Sequence, residues 1–156
     1  MKTIGMIGGM SWESSIEYYR LVNEGVKSQL GGLHSAQCLM YSVDFEEIER
    51  YQHAGDWEKA TEVMVAAARR LESGGADFVL ICTNTMHKMA REVQAAIGIP
   101  LLHIVDATVV SIKSRNIHKV GLLGTRFTME GEFYSGRLKA HGLDVVIPNQ
   151  THREIV

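Results

Sequence analysis

Charge of one sign, long apolar runs and cysteine are all scarce in this sequence, and each shortage excludes a class of protein. Sixteen Lys and Arg stand against 18 Asp and Glu, a net charge of −2 with no basic run. The electrostatic footprint of a nucleic-acid surface is therefore missing. Apolar runs last only a handful of residues, too short for a membrane span. The first residues, Met1-Lys2-Thr3-Ile4-Gly5, enter a strand pattern without the apolar region of a signal peptide, so a cytoplasmic protein is expected. The two cysteines, Cys38 and Cys82, lie in apolar strand-like runs and are expected as thiols. The 7 histidines are scattered and no Cys or His pair has zinc-site spacing, so no metal is expected. No GxxxxGK[ST] motif is present, and Gly5-Met6-Ile7-Gly8-Gly9-Met10 lacks the glycine spacing of a dinucleotide turn. Backbone amides at Gly8, Gly9 and Met10 approaching a small anion remain an option.

What is present is an apolar content of 46% over 156 residues, enough for a folded core in one domain or one and part of another. Strand-like and helical runs alternate. Residues 3–7 predict a strand closed by Gly8-Gly9. A helix follows with Ser14 and Glu17 spaced as a capping box, and Ile16, Tyr19, Val22, Val26 and Leu30 form its apolar stripe. Residues 36–43 predict a second strand and 44–51 a short polar helix. The next helix carries Ala60, Val63, Met64, Ala67, Ala68 and Leu71. Phe78-Val79-Leu80-Ile81 is the continuous apolar run of a strand covered on both faces. Thr85 is placed to cap a helix bearing Met86, Met89, Ala90, Val93 and Ile97. Residues 101–104 predict a strand with His103 as a core residue, followed by a helix. Strands at 119–123 and 143–147 flank a helix at 129–141, and residues 150–156 show no closing element. This alternation predicts an α/β fold, a three-layer sandwich with a mostly parallel sheet.

Ile4-Gly5-Met6-Ile7-Gly8-Gly9 is echoed 116 residues later by Val120-Gly121-Leu122-Leu123-Gly124-Thr125. The following helices echo too, Tyr18-Tyr19-Arg20-Leu21 against Phe133-Tyr134 and Arg137-Leu138. A duplicated domain is the expectation: residues 1–118 as the first, and 119–156 as the start of a second, incomplete repeat.

The densest local chemistry is Cys82-Thr83-Asn84-Thr85-Met86-His87, where a buried strand delivers a thiol, two hydroxyls and an amide to the carboxyl edge of the sheet. Ligands of open α/β sheets sit at that edge. A helix beginning there favours a carboxylate and would lower the pKa of a nearby thiol. A buried cysteine followed by a capping threonine accounts for the same residues without any ligand.

Together with Gly8-Gly9-Met10-Ser11, Val43-Asp44-Phe45, His103-Ile104-Val105-Asp106-Ala107-Thr108 and Gly121-Leu122-Leu123-Gly124-Thr125, this segment resembles the aspartate/glutamate racemase family, in its bacterial amino-acid racemase branch. The resemblance covers nearly the whole chain. It implies two pseudo-symmetric α/β domains and racemisation of an acidic amino acid by two-sided proton transfer at Cα. It also implies no cofactor: no pyridoxal phosphate and no metal. A homodimer and a small-molecule substrate are implied, with no nucleic-acid or membrane partner. The position of the family's first catalytic cysteine, directly before the Asn-Thr pair, is Thr83 here. Cys82 lies one residue earlier, on the opposite strand face. Carried over residue by residue, Thr83 is the acid/base group. Met10 and Gln52 are substrate-pocket positions, and Asn84, Thr85 and Thr125 contact the carboxylate. Cys82 and His87 are held as an alternative base and a supporting group. The repeat offset puts the opposing cysteine near position 199, beyond these residues. The rival expectations are a hydantoin racemase or maleate isomerase relative, and a non-catalytic ligand-binding remnant of the same fold.

Overall fold

A computed structural model describes residues 1–156. The chain divides into two compact units, one comprising Met1–Thr83 and Met89–Leu102, the other Asn84–Lys88 and His103–Val156.

The first unit is built on a parallel sheet of order β2-β1-β3. The central strand β1 (Ile4–Gly8) sets Ile4 opposite Cys38 of β2 (Cys38–Ser42) and opposite Phe78 of β3 (Phe78–Ile81). Parallel neighbours need long crossovers. Helix α1 (Trp12–Leu30) makes the first, and α2 (Phe45–Ala54) with α3 (Trp57–Ser73) makes the second. Central placement explains why β1 has no polar residue: Gly5, Met6, Ile7 and Gly8 are all buried. Helix α3 turns Ala60, Met64, Ala67, Ala68 and Leu71 inward at helical spacing. Its close approach depends on Gly5, where a Cβ would stand 3.0 Å from Ala76 Cβ and 3.3 Å from Leu71 Cβ.

The strand expected over 101–104 is reduced to one parallel bridge between Leu101 and Val79. The chain leaves the sheet there because His103 caps a helix, so His103 is a helix cap and not a strand residue. The helix expected from Thr85 is a 3-10 turn (Thr85–Met89), with α4 (Ala90–Ala95) following in the first unit.

The second unit pairs β4 (Lys119–Gly121) with β5 (Asp144–Val146), again in parallel. Helix α5 (Ile104–Lys113) packs here, and Val105, Val109, Leu122, Tyr134, Leu138 and Leu143 form one core. The single helix expected over 129–141 is two, α6 (Arg126–Glu130) and α7 (Glu132–Ala140), broken at Gly131 in an extended conformation. Asp106 of α5 accepts from Arg137 Nε and an Arg137 terminal nitrogen of α7, both at 2.6 Å, with His141 Nε2 at 3.2 Å. Hydrogen bonding to Arg137 above all holds the Asp106 carboxyl down at about 2. Asp106 is thus committed to joining two helices. Residues 150–156 do contain an element, α8 (Gln150–Ile155), because Asn149 caps it by accepting from the His152 amide at 3.0 Å.

Candidate active site

In the first unit, β1 runs into Gly8-Gly9-Met10, and Met10 is buried, 4% exposed. The Gly9 amide donates to Ser15 Oγ at 2.9 Å, so that amide serves the fold and the anion cradle considered for Gly8, Gly9 and Met10 loses a member. The capping box expected from Ser14 and Glu17 does not form. The helix begins earlier, with Ser11 at its N-cap, and the Ser14 hydroxyl donates instead to the Cys82 carbonyl at 2.7 Å. The β1 turn is thereby tied to the end of β3. Gln52 lies half-buried on α2, a helix started by Asp44, whose Oδ1 accepts from the Glu46 amide.

Strand β3 continues one step past Ile81, where the Cys82 amide donates to the Ile7 carbonyl at 2.9 Å. Cys82 is 1% exposed, and burial pushes its thiol up to about 12. This reverses the lowered thiol pKa expected from a following helix. Desolvation disfavours the thiolate and outweighs whatever a five-residue 3-10 turn in place of the helix offers. Thr83, half-buried, follows in the bend beyond the strand end. At pH 8 Cys82 should react with iodoacetamide on the order of a thousandfold more slowly than an unhindered thiol. Peptide mass spectrometry of the alkylated protein reads this directly, and labelling of Cys82 at the rate of a free thiol contradicts the burial.

In the second unit, exposed Asn84 opens the 3-10 turn, and its carbonyl accepts from the His87 amide at 3.1 Å. Buried Thr85 and exposed Thr125 are brought together with Oγ1 atoms 3.2 Å apart, although 40 residues separate them. Thr125 caps α6, accepting from the Thr128 amide at 3.3 Å, and Thr128 Oγ1 lies 3.2 Å from Thr125 Oγ1. Three hydroxyls form a chain whose central member, Thr125, faces solvent between the buried Thr85 and Thr128, a donor and acceptor set of the kind that holds a carboxylate. His87 is 2% exposed and sits against His103, ring centroids 4.6 Å apart. No three His, Cys, Asp or Glu side chains come together as a metal-holding group. No helix is long and apolar enough to cross a membrane.

Sequence reasoning gave Ser14 the wrong partner and missed Ser15 and Thr128 as organising hydroxyls and His103 as a cap. The Ser14-Ser15 doublet was the available signal, but its partners, Gly9 and Cys82, are not readable from helical spacing.

A family model described as Asp/Glu/hydantoin racemase matches residues 7–156. The chain is 33% identical over 91 residues to the broad specificity amino-acid racemase RacX of Bacillus subtilis (strain 168). That match takes in 58% of this chain and 40% of the relative, so the chain spans less than half the length of this curated protein. A crystal structure from Yersinia pestis, of a protein named as a candidate Asp/Glu racemase, superposes with a TM-score of 0.95 at 57% identity, over 100% of this chain and 68% of that one. An aspartate racemase homologue from Pyrococcus horikoshii OT3 superposes at 0.88 with 35% identity, over 99% of this chain and 68% of that one.

Proposed function

Because the chain belongs to the Asp/Glu/hydantoin racemase family, we propose that the protein inverts the α-carbon of an acidic amino acid, aspartate or glutamate, without a cofactor. Thr83 is the acid/base group of this chain. The observation that carries the reading is the contrast at the end of β3: Cys82 is sealed, with its thiol pushed up to about 12, while the half-buried Thr83 hydroxyl directly precedes Asn84 and Thr85. Asn84, Thr85 and Thr125 supply donors to the α-carboxylate, where the charge of the carbanion must spread. Met10 and Gln52 complete the substrate contacts.

A hydroxyl is a far weaker base than a thiolate, so the proton transfer is asymmetric. Thr83 Oγ gives its proton to one face of the carbanion. A thiolate on the opposite face, at the repeat-equivalent position near residue 199, takes the first proton and becomes a thiol; once product leaves, that thiol releases its proton to solvent and Thr83 Oγ regains one. Such an enzyme prefers one enantiomer as substrate. The 1–118 and 119–156 domain division, a homodimeric assembly and a cytoplasmic location belong to the same proposal.

The test is incubation of the full-length gene product with L- and D-aspartate and L- and D-glutamate in D₂O, with Cα deuterium read by NMR. Incorporation faster from one enantiomer is the expected result. No incorporation from any of the four excludes racemisation, and a non-catalytic binder of the same fold takes its place.

A further inference from the structure

We propose that His87 is a positioning residue for the carboxylate contacts: as a neutral imidazole, paired with a second neutral imidazole at His103, it anchors the Asn84–Thr85 turn to the start of α5. The role in turnover rests on the racemase reading above; the geometry does not.

Helix α5 is capped in an uncommon way. Hydroxyl and carboxylate side chains usually accept from the first free amides of a helix. Here two ring nitrogens do so. His87 Nε2 accepts from the Ile104 amide at 3.2 Å, and His103 Nδ1 accepts from the Val105 amide at 3.2 Å. The next amide, that of Asp106, goes to the His103 carbonyl at 3.1 Å. All three first-turn donors are thereby satisfied, two by imidazoles 2% and 8% exposed.

A ring nitrogen that accepts carries no proton, so the two rings hold opposite tautomers: His87 bears its hydrogen on Nδ1, His103 on Nε2. Protonating either acceptor would remove a cap and bury a cation at the positive end of a helix. The surroundings oppose it. Burial first, then His87 and Arg137, push the His103 imidazole down to about 4, and only Asp106 acts the other way.

The consequence for the site follows from where His87 sits. Its own amide closes the turn on the Asn84 carbonyl at 3.1 Å, so one residue holds both the turn and the helix start. Thr85, two residues earlier, then meets Thr125 at 3.2 Å from a constrained backbone. Without the His87 acceptor, the part-buried Ile104 amide is left unpaired, and relaxing it moves the turn.

The test uses ¹⁵N-labelled full-length protein. Long-range ¹H–¹⁵N correlation at neutral pH should report the Nδ1–H tautomer for His87 and the Nε2–H tautomer for His103. Titration with L-aspartate, read at the Asn84 and Thr85 amides, should give a Kd raised about tenfold in His87→Leu and restored to within about threefold in His87→Gln, whose side-chain oxygen can accept in the same place. A cationic ring, a shared tautomer, wild-type affinity in His87→Leu, or equal losses in both variants each overturns the proposal. So does a wild-type protein that does not bind L-aspartate. A wild type that binds but exchanges no Cα proton removes only the racemase reading.

Discussion

Alanine at position 83 is expected to lower Cα proton exchange by about 10²- to 10⁴-fold, the range of a positioned acid/base group, with the melting temperature held within about 3 °C. The side chain removed is half-buried, at the end of β3, so little core packing is lost. The informative companions are Thr83→Cys and Cys82→Ala. A thiol at 83 is far easier to ionise than a hydroxyl, so Thr83→Cys should keep activity and narrow the preference between enantiomers. Cys82→Ala should cost about 1 kcal/mol of stability and leave exchange within a few fold, since a buried thiol pushed up to about 12 supplies no thiolate near neutrality. Thermal melts and D₂O exchange on the three variants separate the roles. Full activity in Thr83→Ala, or its loss in a folded Cys82→Ala, moves the chemistry off Thr83.

The largest expected stability effect lies one turn from the sheet, at Gly9. Its φ is +95°, a region that side chains disfavour, and an added Cβ would collide with the backbone carbonyl of Val43 and stand 2.7 Å from the Val43 nitrogen. That backbone cannot retreat cheaply, because the Val43 amide donates to the Gly8 carbonyl at 3.0 Å and extends the β1–β2 pairing. Gly9→Ala therefore combines a left-handed penalty of about 1–2 kcal/mol with a steric one of about 1–3 kcal/mol. Their sum, about 2–5 kcal/mol, is a large share of what a marginal domain has. Gly75→Ala is the matched control: φ is again +95° in the same unit, but nothing lies within 4 Å of the added carbon. It should cost only the backbone part. Urea unfolding of the pair measures the steric contribution by difference, and equal losses would mean that Val43 yields.

Much of this architecture was legible because its cause is local. The apolar run Phe78-Val79-Leu80-Ile81 reads as a covered strand and is one, flanked by β1 in parallel. The inward stripe of α3 follows the spacing of Ala60, Met64, Ala67, Ala68 and Leu71. The strand period of two would separate Cys82 from Thr83; the first is buried and the second partly exposed, but both lie in the bend just past β3.

Local spacing failed where a side chain had a distant partner. Ser14 and Glu17 matched a capping box, yet Ser14 bonds to a carbonyl 68 residues away. His103 matched the interior of an apolar strand, yet it caps α5 with His87 beside it. The 129–141 helix broke at Gly131, where a Cβ would stand 2.5 Å from the Phe127 carbonyl.

The Cys82–Thr83 turn joins both kinds of evidence. Sequence by itself determined the strand, its alternation and the order Thr83-Asn84-Thr85, because strand period and chain order are properties of neighbouring residues. Tertiary structure alone decided that the Cys82 thiol is held protonated, that Thr85 meets Thr125, and that His87 reaches α5. Desolvation and hydrogen bonds across 17 or 40 residues exist only once the chain has closed on itself.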